Sequence, residues 1–372
     1  MKIIKICCPI LCILLLTGCF NYKDMNRLFF ATSSIIDVDE SGDPIIYIEA
    51  FKAFRGGAEQ AASEIKVIFK GKGKTIYDAY INATLSASNE INISQIKALI
   101  FTERAALLGL DKFIDLFERD QKPTVRMFLF VLAQHQDPES FISTNVEEEH
   151  FLGLFLENLM IAEGRLGRVH RMRLNDYFNQ RLLGSQVSAI PIIQKSQPEP
   201  FRIKLDGAGV FQKDKMVSKL TSDELVAYNF VIHGGNFGIM LADDPNTKSG
   251  LVSLKILRSR TKLNVEYVDG VVVLNKHINV TASLIEAKNR GFVIDNNVRK
   301  QIEKSSSSKL TYECIRVFQK FKKQGIDIYN IERMMEVKYP SVHIKNLLDN
   351  TQLGITDIKV HIEGSNNIRD FN

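Results

Sequence analysis

Chemistry in this sequence would have to come from a few clusters, and each can be weighed against the spacing its reaction needs. Lys70-Gly71-Lys72-Gly73-Lys74-Thr75 invites a phosphate-binding reading, since backbone N–H groups, a lysine and a hydroxyl can cradle a polyphosphate. That motif requires a glycine five residues before the last one, and position 68 is Ile68. The stretch reads better as a glycine turn feeding a helix, with Thr75 and Asp78 spaced as a capping box. His233-Gly234-Gly235 has the form of an oxyanion loop, but no Gly-x-Ser-x-Gly nucleophile elbow is present for it to serve. The 7 histidines are scattered, with no His-Glu-x-x-His and no paired Cys-x-x-Cys metal spacing. Glu147-Glu148-Glu149 is a charge run of the kind found on solvated faces. Without a convergent nucleophile, base and metal set, the chain is expected to be no enzyme and to need no cofactor.

One cysteine is placed where its thiol could react. Lys2 and Lys5 give a positive start, residues 6–16 are apolar throughout, and the small Thr17 and Gly18 precede Cys19. Charge, apolar run and small residues follow in the order of a secretory signal. Leu16-Thr17-Gly18-Cys19 resembles the lipobox of bacterial lipoproteins, in which the cysteine sulfur takes a diacylglyceryl group and cleavage leaves the cysteine as the N-acylated first residue. Cys19 is therefore the expected lipidation site, with 1–18 a signal peptide and 19–27 a short tether. The apolar run is shorter than the roughly 20 residues a membrane span needs, and Asn21, Lys23 and Asp24 follow at once. Two or more acyl chains anchor stably where one is marginal.

The remaining chain must be large enough to stand on its own core. It has 372 residues with 45% hydrophobic and 24% charged content, ordinary values for a globular protein of one to three domains. The net charge is +5, two units of which belong to Lys2 and Lys5. So mild a balance argues against a dedicated nucleic-acid binder. Of 5 cysteines only Cys314 lies beyond Cys19, so no disulfide framework is available. Cys314 shares a helical stripe with Leu310, Val317 and Phe321 and is expected in the core.

Along the chain, residues 28–38 and 45–51 read as strands about the Gly42-Asp43-Pro44 turn. Ile65, Val67 and Phe69 alternate in a third strand, and a helix follows over 76–85. A strand over 96–102 leads into one or two helices around Gly109. Residues 125–133 read as a strand buried on both faces, and 151–162 as an apolar core helix. Arg165, Arg168, His170, Arg171 and Arg173 form the most basic cluster; it reads as a solvated helix start, or else as a surface for anionic headgroups or an acidic partner. Pro191, Pro198 and Pro200 place a boundary at 190–201, dividing an N-terminal domain, 28–196, from a C-terminal one, 197–372. Strands follow over 205–211 and 216–220, then a helix opened by the capping box Thr221-x-x-Glu224. Two further strands are expected at 251–258 and 262–268, the second turning at Asp269-Gly270 into a strand over 271–285. A long helix spans about 297–324 and stops at Gly325, then short helices, the second ending near Leu348, and a strand over 355–362. Strands in runs with helices grouped between them argue for α+β, mostly antiparallel sheets with flanking helices.

These blocks carry a family likeness. Gly71-x-Gly73-Lys74-Thr75-Ile76, Ile93-x-x-Ile96-x-x-Leu99-Ile100 with Ala106 and Gly109-Leu110, and Arg126 before Met127 to Val131 recur in order. So do Gly207-x-x-Val210-Phe211-x-x-Asp214-Lys215-Met216-Val217-x-x-Leu220-x-x-x-Glu224, Gln324-x-x-Asp327-Ile328, Tyr339-Pro340 and a last strand ending at Gly364. Over essentially its whole length the chain resembles the Ger(x)C family, the lipoprotein C subunits of bacterial spore germinant receptors. It departs at Phe20-Asn21 and Arg27-Leu28, where many members have Trp-Asp and then Glu-Leu or Glu-Ile, and at Ser218 or Lys219, where many have glycine. The resemblance implies a two- or three-domain α+β lipoprotein on the outer face of the spore inner membrane. It implies integral-membrane A and B subunits as partners, the B subunit resembling amino-acid transporters, and a role in sensing nutrient germinants. It carries over no catalytic residue. The competing reading, a solute-binding lipoprotein of a transporter, calls for two α/β lobes around a hinge, which runs of strands disfavour.

Overall fold

The structure is a computed structural model that describes residues 27–52, 65–119, 123–146, 148–163, 169–196, 202–232, 238–247, 250–287 and 295–363. Cys19 and its signal, Arg165, Arg168, Glu147 and His233-Gly234-Gly235 lie outside the described residues.

The chain opens with a hairpin, β1 (Leu28–Val38) and β2 (Pro44–Lys52), turned by Gly42 at φ 80°. β3 (Lys66–Lys72) adds to β2, and α1 (Ile76–Thr84) folds back over it. Thr75 caps α1 by accepting from the Asp78 N–H at 3.1 Å, and Asp78 accepts from the Lys74 N–H at 2.8 Å. The expected glycine turn is a different device. Gly71 sits inside β3, where a Cβ would lie 2.1 Å from the Ala79 carbonyl oxygen; Gly73 is as tight, 2.3 Å from the Ala79 nitrogen. Both glycines exist so that α1 can lie against the strand.

β4 (Glu90–Asn92) and β5 (Ala98–Thr102) pair parallel to β1. Gly109 ends α2 (Glu103–Leu108), and α3 (Asp111–Arg119) leads on towards β6 (Phe128–Leu132). α4 (Pro138–Ile142), α5 (Leu152–Glu163) and α6 (Leu174–Gln180) then cross to β7 (Val187–Lys195). β8 (Ile203–Gln212) and β9 (Lys215–Leu220) complete a nine-stranded sheet of order β3-β2-β1-β5-β6-β7-β8-β9, with β4 also on β1. Its centre, β1-β5-β6-β7, is parallel. β5 and β6 are buried at every position, as a strand covered on both faces must be. Leu99, Phe101, Leu129 and Val131 face a core closed by α1, α3 and α6. Ile35, Ile100, Phe130 and Ile193 face another closed by α4 and α5.

The second sheet is built around a long hairpin. α7 (Ser222–Ile232) and β10 (Gly238–Asp243) precede β11 (Leu251–Val268) and β12 (Val271–Ala287). The two strands expected before Asp269 are one, continued across irregularities at Ser253/Leu254 and Ile256/Arg258. Asp269 and Gly270 both have positive φ, 51° and 83°, the turn that matches strand twist. α8 (Asn296–Lys322) lies over the sheet and buries Ile302, Leu310, Cys314, Val317 and Phe321. Gly325, at φ 70°, ends it, with the Ile326 N–H returning to the Phe321 carbonyl. α9 (Ile331–Lys338) follows; the helix expected to end near Leu348 is instead a series of turns. β13 (Thr351–Ile362) joins β12 in parallel, giving the order β10-β11-β12-β13.

The architecture is α+β with two sheets. Six strand pairs are antiparallel and five parallel, so the antiparallel bias is slight and the parallel centre of the large sheet is the feature that periodicity left out. The 196/197 division falls between β7 and β8, antiparallel neighbours in one sheet. Val187 and Ala189 on one side of it share a core with α7 and α8 on the other.

Candidate functional site

The basic loop resolves into ion pairs. Lys70 meets Glu139 at 2.6 Å, Lys72 meets Asp39 at 2.5 Å and Lys74 meets Asp43 at 2.6 Å. The Thr75 hydroxyl is used as a helix cap. Each cation that would greet a phosphate already has a carboxylate, and the side of β3 is filled by α1.

The described histidines do not converge. His135, His150, His277, His343 and His361 are exposed at separate places, and His170 is buried. Among the described residues no three His, Cys, Asp or Glu side chains come together as a metal site. His170 leaves the basic cluster for the junction between the two sheets. Its Nδ1 lies 3.3 Å from Asn229 Oδ1, the Asn229 amide donates to the Val169 carbonyl at 3.1 Å, and the ring stands edge-on to Tyr228. Arg173 lies over the Phe128 ring at 4.8 Å, while Arg171 is exposed. The cluster is thus split between core and surface.

Further polar pairs lie within the layer of the large sheet, at its junction with the second sheet, and between α7 and α8. Tyr177 and Arg181 both donate to Asp214 at 2.9 Å, and burial with the Asp214 charge pushes the Tyr177 phenol up. Ser185 donates to Asp327 at 3.1 Å, as does the Glu332 N–H at 2.8 Å. Asp327 is 3% exposed, and burial raises its carboxyl above the usual range despite those donors. Gly184 lies so close that a Cβ would sit 2.9 Å from the Arg333 nitrogen. Lys219 of β9 pairs with Glu103 of α2 at 2.7 Å, and Lys320 of α8 with Glu224 of α7 at 2.7 Å. Burial raises Glu224, but Lys320 and the Thr221 N–H outweigh it and hold the carboxyl below its usual value. Thr221 and Glu224 form the expected reciprocal cap, at 3.2 and 3.0 Å.

Two buried charges had no sequence signal. Glu49 of β2, fully buried, accepts from Thr32 and Ser33 hydroxyls, from the Leu152 and Gly153 N–H groups, and faces Lys66 at 2.8 Å. It caps α5 and docks that helix on β1, where a Cβ on Gly153 would lie 2.0 Å from the Thr32 carbonyl oxygen. Lys276 of β12 is 3% exposed, with its ammonium 5.0 Å from the Tyr329 ring centre. Burial pulls its pKa well down, and burial lifts the neighbouring Cys314 thiol to about 11. Cys314 is a free core cysteine, as its stripe implied. What these arrangements do chemically is hold elements together. Among the described residues no helix is long and apolar enough to cross a membrane.

Comparison with known proteins agrees with this architecture. Residues 21–195 match the model of the spore germination protein N-terminal domain, and residues 206–372 that of the spore germination B3/GerAC-like C-terminal domain. Spore germination protein GerQC of Bacillus cereus is 20% identical over 319 residues, covering 86% of each chain. The YfkR protein of Bacillus subtilis (strain 168) is 23% identical over 336 residues, 87% of this chain and 85% of that one. The crystal structure of the GerBC protein shares the fold, with a TM-score of 0.56 at 15% identity, over 88% of this chain and 96% of that one. Two family domains in sequence, together spanning nearly the whole chain, make it a member of the GerAC-like, Ger(x)C family of spore germination proteins, the C subunits of germinant receptors.

Proposed function

We propose that this chain is the lipid-anchored subunit of a nutrient germinant receptor, held through Cys19 on the outer face of the spore inner membrane, where it assembles with integral-membrane A and B subunits and turns over no substrate. The observation that carries the reading is the pair of family domains covering residues 21–195 and 206–372. The ordered signal ending in Leu16-Thr17-Gly18-Cys19 supports the anchor. The packing supports assembly: charged groups such as Glu49, Asp214 and Glu224 are spent on internal contacts, which suits a rigid body that positions partners. An anchor also confines the chain to the membrane surface, where partner subunits have a high effective concentration.

The test is Cys19→Ala. It should abolish incorporation of a palmitate analogue and release the chain from spore membranes. Pull-down of the wild-type chain from solubilised spore membranes should recover two integral-membrane subunits. Unchanged labelling of the variant overturns the anchor, and recovery of a permease with an ATPase instead overturns the receptor reading in favour of a solute-binding lipoprotein.

A further inference from the structure

The outer face of the second sheet carries a basic band. Along β11 the side chains alternate between the core and solvent, with Val252, Leu254 and Ile256 inward. After the irregularity at Ile256/Arg258 the outward positions are Arg258, Arg260 and Lys262, in line with Lys255 before it. All four are exposed, and over seven residues of strand they span about 23 Å. Across the ladder they face Ser283, Thr281, Asn279 and His277 of β12, which add neutral donors and one titratable ring. On β13, Lys359 stands opposite Asn279 and His361 opposite Thr281. Carboxylates on the outward positions of the hairpin stand at its two ends, Glu266 beyond Lys262 and Glu286 opposite Ser253. Glu303 of α8 engages His361 at 3.3 Å. At the β10 side the band is fringed by Ile239, Leu241 and Leu257, which are 48%, 41% and 42% exposed.

We infer that this face, centred on Lys255, Arg258, Arg260 and Lys262, lies against an anionic bilayer surface. Three features choose a membrane over a protein. Protein interfaces put apolar residues at the centre and charge at the rim; here four cations hold the centre, and the exposed apolar side chains lie at the β10 side and at the ends of the hairpin, with Leu251, Ile285 and Val268. The surface is an open sheet face with neutral hydrogen-bond donors between the cations, suited to many phosphate headgroups rather than one enclosed anion. Ile239, Leu241 and Leu257 are placed to enter the headgroup layer beside the cations. The exposed lysines at and just after β3, by contrast, are matched with carboxylates. The inference deepens the anchored reading and rests on it, because a tether at Cys19 would hold the chain at the bilayer.

The experiment reconstitutes the full-length acylated chain on vesicles of phosphatidylcholine alone or with phosphatidylglycerol, and measures lysine acetylation by mass spectrometry. Lys255 and Lys262 should be protected on the phosphatidylglycerol vesicles and regain reactivity at high salt, while exposed Lys112 of α3 stays equally reactive on both. Arg260→Gln, an exposed position where folding is not at stake, should weaken the protection about five-fold, the factor for one cation near an anionic surface. Equal acetylation of Lys255 and Lys262 on both vesicles, with the chain bound to both, overturns the inference and leaves the anchor standing. Protection that appears only when the integral-membrane subunits are present overturns it in favour of an acidic protein partner. A chain that ignores neutral vesicles but is still protected on anionic ones supports the face and refutes the anchor.

Discussion

Glu49→Gln isolates the energetics of the large sheet. The carboxylate has no solvent exposure and five donors: two hydroxyls, two helix N–H groups and the Lys66 ammonium, whose side chain is 9% exposed. Glutamine keeps the shape, removes the charge and replaces one acceptor with an NH2 that meets another donor at either end. Lys66 is then left buried opposite a neutral group, with the Thr144 carbonyl at 3.0 Å as its remaining acceptor. Breaking a buried pair from one side costs about 3–5 kcal/mol, and loss of a carboxylate at the α5 N-terminus adds about 0.3–1 kcal/mol. A loss of about 4 kcal/mol is a large share of the roughly 5–15 kcal/mol that holds a domain together. Urea unfolding of the mature chain, followed by circular dichroism, should show the midpoint falling accordingly. Added salt should not restore it, since a buried pair is little screened. Glu49→Gln with Lys66→Met should recover most of the loss by removing the stranded charge. A single variant within about 1 kcal/mol of wild type, or a double variant no better than the single, would refute the account.

Gly71→Ala should cost about 1–3 kcal/mol or more through overpacking, because its Cβ would meet Ala79 and Ala83 backbone at 2.1 and 2.4 Å. Gly270→Ala, with nothing within 4 Å, should cost only the left-handed strain of about 1–2 kcal/mol; thermal unfolding of the two ranks them. Thr221→Ala breaks a capping box and should lower stability by about 1 kcal/mol, with hydrogen exchange rising in the first turn of α7. Lys276 is buried with its pKa well below the free value, so across that window the unfolded chain binds more protons than the folded one. Stability should therefore rise with pH up to the free-lysine value, and Lys276→Met should flatten the slope and stabilise the chain near neutrality; parallel pH profiles for wild type and variant would count against this.

What the sequence made legible was local. Thr75 and Asp78, Thr221 and Glu224, Asp269-Gly270 and Gly325 act where their chemistry said they would, because caps and turns are satisfied within a few residues. The stripe through Cys314 gave the buried side of α8 for the same reason. The parallel centre of the large sheet depends on pairing between β1, β5, β6 and β7, tens of residues apart, and periodicity carries no partner information. Glu49 looked like any strand glutamate, since the donors that make it structural come from residues 32, 33, 66, 152 and 153. The basic band was hidden by reading 251–268 as two strands: once β11 is continuous, Arg258, Arg260 and Lys262 share a face at a spacing of two. Cys19 lies outside the described residues, and its role rests on the sequence pattern.

How such a body meets its partners is constrained by its strand edges. An open edge is a template for strand addition, and a receptor subunit could have used one. At each of the four terminal strands of the two sheets a helix side chain meets part of the edge, while β11 beyond Ile256 pairs with β12 alone. Asn82 of α1 donates to the Lys72 carbonyl of β3 at 2.8 Å, and Lys320 of α8 to the Lys219 carbonyl of β9 at 2.9 Å. Lys309 of α8 donates to the Leu241 carbonyl of β10 at 3.3 Å. Ser307 and Glu303 of α8 accept from the Val360 and Ile362 N–H groups of β13 at 3.1 and 2.9 Å. α8 alone thus serves three edges in two sheets, which makes it both the main core helix of the C-terminal half and the guard of its borders. These contacts take individual backbone groups on each edge, and the large sheet has helices on both faces over its parallel centre. The outer face of the β10-β11-β12-β13 sheet is the broad strand surface that no described helix covers, and it is the one that carries Lys255, Arg258, Arg260 and Lys262.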